Sequence, residues 1–299
     1  MSKLTTKEEF ADLLSRYDAF LFDCDGVLWS GDDLIPGAKE VLSKLRASGK
    51  QVVFVTNNAS KSRRSYKGKF DKMGIEASEV RLVWLGSLIL CNRRKADRGC
   101  RQSEIISSSY AAAVYLKDVL KMPADRKVYV LGMDGIEEEL NAVGIQYCGG
   151  TRDPSRPARR AAVVTLFLPT TTQHFLQREG LGLVSLSPIL CLGNCMVDAD
   201  HRIAGAGSLS APLIFASKRK PTIVGKPHQP MLDTIESIYK LDKPRTLFIG
   251  DRLDTDIAFA NNGGIDSLLV LTGISTVEDC DRQGIHPKYV LDSIGNLNV

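Results

Sequence analysis

The sequence predicts an α/β fold: a parallel sheet flanked by helices, with a further α/β segment inserted in the middle of the chain. Three observations lead there. Short continuous apolar runs, such as Ala19-Phe20-Leu21-Phe22 and Thr246-Leu247-Phe248-Ile249, read as strands buried on both faces. Helical stretches with Pro near the start or Gly past the end alternate with them. The same strand–helix rhythm occupies both ends of the chain, which puts both ends in one sheet and makes the middle an insertion.

Taken in order, residues 5–16 read as an amphipathic helix, with Phe10, Leu13 and Leu14 on one side. The strand 19–22 follows and ends at Asp23. A helix is expected from Pro36 to Ser48, closed by Gly49. Gln51-Val52-Val53-Phe54-Val55 is the second buried strand, ending in Thr56-Asn57-Asn58, and Ser62 to Met73 is helical up to Gly74. Inside the middle, Lys127 to Leu131 reads as a strand and Glu137–Leu140 as part of a helix. Thr222-Ile223-Val224 is assigned to the same sheet as the first strands and leads to Gly225-Lys226. Pro230 to Tyr239 is helical, 246–249 is a strand ending in Gly250-Asp251, Asp254 to Asn261 is a short helix, and 267–271 is another strand.

A chain of 299 residues suggests about two domains. The net charge of +4 is small for this length, which argues against a dedicated nucleic-acid or membrane-surface protein. The basic runs Arg93–Lys95 and Arg156–Arg160 lack interleaved aromatics and read as solvated loops. Seven scattered cysteines form no disulfide framework, so a reducing compartment fits. His174, His201, His228 and His286 show no metal-like spacing and are expected at the surface. No apolar stretch is long enough to span a membrane.

Polar residues fall at the ends of the apolar strands, where open parallel sheets form their ligand crevice. Asp23 and Asp25 follow the first strand, Thr56 the second, Lys226 a third run, and Asp251 another. This set suits phosphoryl transfer. A carboxylate can attack phosphorus and form an aspartyl-phosphate, the role given to Asp23. Its repulsion with the phosphate calls for a cation, and Mg²⁺ prefers one or two carboxylates, here Asp23 and Asp251. Lys226 adds a positive charge, and the Thr56 hydroxyl can hold phosphate oxygens. Asp25, two residues past Asp23, is placed to protonate the departing alkoxide and then to deprotonate water. Asn57 and Asn58 are turn-forming types equally placed to touch substrate, and Asn57 joins Thr56 and Lys226 as a candidate phosphate ligand. Gly26 allows the sharp turn. Cys24, between the two aspartates, is expected to be buried.

Asp23-Cys24-Asp25-Gly26-Val27-Leu28 resembles the first motif of the haloacid dehalogenase superfamily. Thr56-Asn57-Asn58 resembles the second motif, Lys226 the third, and Gly250-Asp251-Arg252-Leu253-Asp254-Thr255-Asp256 the fourth. The longer matches, among them Val224-Gly225-Lys226-Pro227, are similar to the branch of phosphoglycolate, pyridoxal and p-nitrophenyl phosphatases, which carry a C2-type cap. The resemblance spans roughly residues 15–80, 104–150 and 204–299; segments 81–103 and 151–203 depart from the family pattern.

That resemblance implies a Rossmann-like core over 1–117 and 205–299, with a cap over 118–204 and an insertion-like segment over 81–103. It implies Mg²⁺ held by Asp23, the Asp25 carbonyl and Asp251, with Asp256 outside the direct ligand set. The expected activity is hydrolysis of a small phosphorylated metabolite, first of all 2-phosphoglycolate. Pyridoxal phosphate or broad p-nitrophenyl phosphate hydrolysis is the alternative, a phosphomutase uses the same acids, and an inactive binding protein with a degraded cap is the alternative from another class. A cytoplasmic setting is expected, or a chloroplast one if a presequence is missing, with dimerisation through the cap as related enzymes often show.

Overall fold

The computed structural model describes residues 1–77, 103–151 and 221–299, Phe215, and the backbone of four further strands. The chain opens with β1 (Ser2–Lys3), α1 (Lys7–Arg16) and β2 (Ala19–Phe22). A small hairpin, β3 (Trp29–Ser30) and β4 (Asp33–Leu34), precedes α2 (Ala38–Ala47), β5 (Gln51–Thr56) and α3 (Arg63–Lys72). Next come β6 (Ile105–Ser107), α4 (Ser108–Val114), β7 (Lys127–Leu131), α5 (Asp134–Val143) and β8 (Tyr147–Gly149). The backbone strands are β9 (Val164–Leu168), β10 (Ile189–Leu190), β11 (Val197–Asp198) and β12 (His201–Arg202). The last part holds β13 (Thr222–Ile223), α6 (Gln229–Ile238), β14 (Thr246–Gly250), α7 (Ala258–Gly263), β15 (Asp266–Val270), α8 (Val277–Gln283) and β16 (Tyr289–Leu291).

The helix boundaries follow local chemistry. Thr6 caps α1 in a reciprocal box with Glu9, and the Ser62 hydroxyl accepts the Ser65 N–H at the start of α3. The expected helix over 254–261 is a π-helical turn, Leu253–Ile257, running into α7.

A seven-stranded sheet runs β1-β16-β15-β14-β2-β5-β6. Every neighbouring pair in it is parallel. Both faces are covered, which is why its strands are continuously apolar. Phe20, Phe22 and Phe54 pack to one side with α1, α2 and α3, while Leu21, Val53, Val55 and Phe248 pack to the other with α4, α6 and α7. Phe22 stands level with Ile249 on one neighbour and Phe54 on the other. The residues that follow these three therefore emerge together at one edge of the sheet.

A second, mixed sheet has the order β13-β10-β9-β7-β8. Here one expectation is corrected. Thr222–Ile223 does not join the sheet that carries Asp23 and Asp251; it pairs in parallel with Ile189–Leu190 at the edge of the second sheet. A strand of two β-branched residues fits either sheet by composition, so its sheet is decided by tertiary contact. Val224, just beyond it, is buried with Ala59, Val128 and Ile136, where the two layers meet.

The layers are also joined by charge. Arg63 at the start of α3 holds Glu139 of α5 in a fork, Nε to Oε1 at 3.0 Å and Nη2 to Oε2 at 2.8 Å, and its backbone N–H donates to the same carboxylate. The guanidinium lies 3.4 Å from the centre of the Tyr110 ring. Ser62 donates to Glu138 beside it. The atypical segments expected over 81–103 and 151–203, with the basic runs 93–95 and 156–160 and four of the cysteines, lie outside the described residues but for Ser103, Thr151 and the backbone strands. Among the described residues no helix is long and apolar enough to cross a membrane.

Candidate active site

The ends of β2, β5 and β14 bring the expected residues together. Asp23 follows β2, with its N–H donating to the Ile249 carbonyl at 2.9 Å. Thr56 closes β5, level with Ser107 of β6. Asp251 follows β14. Lys226 arrives from the other direction, down from β13, and its ammonium lies 2.9 Å from Asp23 Oδ1 and 2.7 Å from Asp256 Oδ1. It also donates to the Val55 carbonyl at 2.9 Å. Lys226 is fully enclosed, and a lysine is rarely buried unless paired.

Asp251 and Asp256 are held by backbone. Asp256 Oδ2 accepts the N–H groups of Asp251 and Arg252 at 3.2 and 3.1 Å, inside the π-helical turn. Asp251 Oδ2 accepts the Ile274 N–H at 2.9 Å, and its carbonyl accepts the Ser275 N–H. Two glycines make room. A Cβ on Gly26, which sits at φ +86°, would lie 2.6 Å from Asp251 Oδ2, and one on Gly273 would collide with the same carboxylate.

The segment 272–275 was missed in the sequence. Thr272 ties it to the first motif by donating to the Gly26 carbonyl at 2.6 Å. The signal was available: like the others, the strand 267–271 runs into polar residues at its carboxyl end.

Asp25 is half-exposed beside this cluster. Its Oδ1 accepts the Trp29 indole N–H at 2.8 Å, and the Lys69 ammonium stands 3.6 Å away, over the Trp29 ring. Trp29 and Lys69 also escaped the sequence reading. The Thr56 hydroxyl is buried, accepting the Asn58 N–H at 3.1 Å and hydrogen-bonded to the Tyr66 hydroxyl at 3.2 Å. Asn57 departs from its expected place against phosphate. Its side-chain amide is spent on the main chain of Lys226, accepting that N–H at 2.7 Å and donating to that carbonyl at 2.9 Å. Cys24 is buried as expected, and burial, with Asp23 and Asp25 adjacent, pushes its thiol up, so it stays protonated. His286 is exposed as expected, whereas His228 is half-buried and its burial pulls its imidazole down.

The electrostatics are unbalanced in favour of anions. Burial, then the charge of Asp256, pushes the Asp23 carboxyl well above its ordinary value, against the pull of Lys226. Burial and Asp256 likewise push Asp251 up to about 7. Burial disfavours the Lys226 ammonium, but Asp23 and Asp256 outweigh it and the net shift is upward.

Three carboxylates with oxygens within 4.8 Å of one another thus face one ammonium. Among the described residues Asp251 Oδ1 is buried without a hydrogen-bond partner. A hard divalent cation fits this oxygen-only donor set, and it would take up the orphaned oxygen.

A family model described as haloacid dehalogenase-like hydrolase matches residues 20–146, and a second, HAD-hydrolase-like, matches 223–297. The 4-nitrophenylphosphatase of Schizosaccharomyces pombe is 35% identical over 314 aligned residues, covering 99% of this chain and 98% of its own. This chain belongs to the haloacid dehalogenase-like hydrolases. Among these hydrolases it is similar to phosphoglycolate phosphatase 1A, chloroplastic, of Arabidopsis thaliana (35% identity, 98% of this chain and 80% of that one). It is also similar to the glycerol-3-phosphate phosphatase of Homo sapiens (33%, 95% and 91%). The crystal structure of a 4-nitrophenylphosphatase from Thermotoga maritima shares the fold of this hydrolase at a TM-score of 0.70, with 24% identity over 96% of this chain and 98% of that one. This haloacid dehalogenase-like hydrolase is a phosphatase, which sets aside the inactive binding protein.

Proposed function

We propose that the chain is a Mg²⁺-dependent phosphomonoesterase that works through an aspartyl-phosphate on Asp23, with 2-phosphoglycolate as its substrate. One observation carries the chemistry: the buried Lys226 ammonium touches Asp23 at 2.9 Å while Asp251 presents an oxygen that has no hydrogen-bond partner among the described residues.

Asp23, the Asp25 carbonyl and Asp251 would hold the metal. Asp256 stays outside that set, since its Oδ2 is taken by two N–H groups and its Oδ1 faces Lys226. Bound there, Mg²⁺ supplies the positive charge that lets a carboxylate approach a phosphate dianion. An Asp23 oxygen attacks phosphorus and the bond to the leaving alkoxide breaks. Asp25, with Oδ1 tied by the Trp29 indole, offers Oδ2 as the proton donor to that alkoxide. Asp25 then takes a proton from the water that attacks the aspartyl-phosphate, and the bond from Asp23 to phosphorus breaks. Lys226 and the Thr56 hydroxyl neutralise and orient the phosphate oxygens. With Tyr66 as the donor between the two hydroxyls, the Thr56 proton is available to a phosphate oxygen.

The substrate assignment is supported by the Arabidopsis relative that is named for phosphoglycolate. Glycerol 3-phosphate is the second reading, because a relative named for it aligns almost as fully. Residues 118–204 serve as the cap in this reading, extended to β13 by its pairing with β10. The only partner it invokes is a small phosphorylated metabolite. A dimer through the cap, to be read by sedimentation, and a cytoplasmic setting, to be read by fractionation, belong to the same proposal.

The deciding experiment measures phosphate release from 2-phosphoglycolate, glycerol 3-phosphate, pyridoxal phosphate and 4-nitrophenyl phosphate, with Mg²⁺ and with chelator. The highest kcat/KM on 2-phosphoglycolate, abolished by chelation, is expected. Preference for another ester would overturn the substrate, and full turnover under chelation would overturn the metal.

A further inference from the structure

We propose that Asn57 is a positioning residue for Lys226 rather than a ligand of the substrate phosphate, an inference that rests on the role given to Lys226 above. Regular pairing ends at Ile223, in the second sheet, so no strand of the first sheet holds the Lys226 peptide groups. The Asn57 amide holds them instead. Its Oδ1 takes the Lys226 N–H at 2.7 Å and its Nδ2 gives to the Lys226 carbonyl at 2.9 Å. A neutral amide side chain offers one acceptor and one donor side by side at any pH. An aspartate there would set an oxygen against the carbonyl.

The far end of the lysine is fixed on the same segment. Its ammonium donates to the carbonyl of Val55, two residues before Asn57. Lys226 is therefore stretched between two points on one short stretch of β5 and the turn after it. Asn57 in turn is braced through its own carbonyl, which accepts the Ser108 hydroxyl at 2.8 Å. The whole contact is buried. Asn57 thus transfers Lys226 from the second sheet to the frame that carries Thr56 and Asp23. Displacement of a catalytic group by about 1 Å costs about a hundredfold in rate.

The test is a mutant cycle with Asn57→Leu, which keeps the shape but not the hydrogen bonds, and Lys226→Met, read with 4-nitrophenyl phosphate and Mg²⁺. Asn57→Leu is expected to lower kcat by about a hundredfold and to change KM by less than about threefold. On the Lys226→Met background it should change kcat by less than about threefold, because the residue it positions is gone. Multiplying losses in the double variant, or an effect confined to KM, would overturn the proposal. If Asn57→Leu does not fold, Asn57→Ser runs the same cycle, with a thermal melt confirming the fold. Native-like turnover by Lys226→Met would sink the reading of Lys226 itself; an impaired Lys226→Met with independent Asn57 losses would sink this inference alone.

Discussion

A Cβ on Gly26 would lie 2.6 Å from Oδ2 of Asp251, so the turn within the first motif is moulded onto the carboxylate of the fourth. Gly273 closes on the same group from the other side. Its backbone is not in the left-handed region, so a substitution there tests space alone. Gly273→Ala is expected to displace Asp251 and weaken Mg²⁺ activation by roughly 10- to 100-fold, as loss of a ligand's supporting contacts does. A Mg²⁺ titration of initial rates checks it; an unchanged midpoint would show that Asp251 is not confined.

Asp23→Asn should separate activity from stability. Turnover is expected to fall by roughly 10⁴- to 10⁶-fold, the scale seen on deleting a nucleophile. The metal-free protein should melt higher than the parent at neutral pH, since one of three crowded carboxylates loses its charge. A lower melting temperature would mean that the ion pair with Lys226 outweighs the repulsion.

The cluster also sets a pH dependence for the metal-free protein. Asp251 titrates at about 7 when folded, against an ordinary 3.8. The folded state binds this proton more tightly, so its stabilising contribution is complete below the ordinary value and is lost as pH rises toward the folded one. Melting temperature under chelation should fall between about pH 5 and about pH 7.5, and Mg²⁺ should raise it more at the upper end. A chelated protein that melts equally well across that interval would contradict the assignment.

Arg63 and Glu139 join the two layers with little solvent access, their side chains 12% and 3% exposed. Glu139→Ala strands a guanidinium and is expected to cost roughly 3–5 kcal/mol. The double change Arg63→Met with Glu139→Leu should cost much less, because no unpaired charge remains. Urea unfolding of the three proteins decides; equal losses in the single and double variants would show that packing, not charge, holds this contact.

Much of this was legible in the sequence, for a physical reason. Asp23 and Asp251 end continuous apolar runs, and a strand buried on both faces has only its end free for chemistry. Lys226 was legible as a residue but not as a place. The pairing of Thr222–Ile223 with Ile189–Leu190 is decided by tertiary proximity, which a strand of two β-branched residues does not encode. Ile274 was invisible because it contributes a backbone N–H, which nearly every residue type carries. Asn57 looked like a turn residue or a substrate ligand; what its amide meets is settled by a peptide group 169 positions away. The helix α8 was overlooked although Thr276 and Asp279 form a reciprocal cap there.

The passage from β13 to Lys226 has only Val224 and Gly225 between the last paired residue and the lysine. At about 3.3–3.6 Å per extended residue, those three steps reach at most about 11 Å. The lysine is thus tethered close to the second sheet while Asn57 and Val55 hold it on the first. A movement of β13 against the first sheet therefore reaches the lysine through two residues.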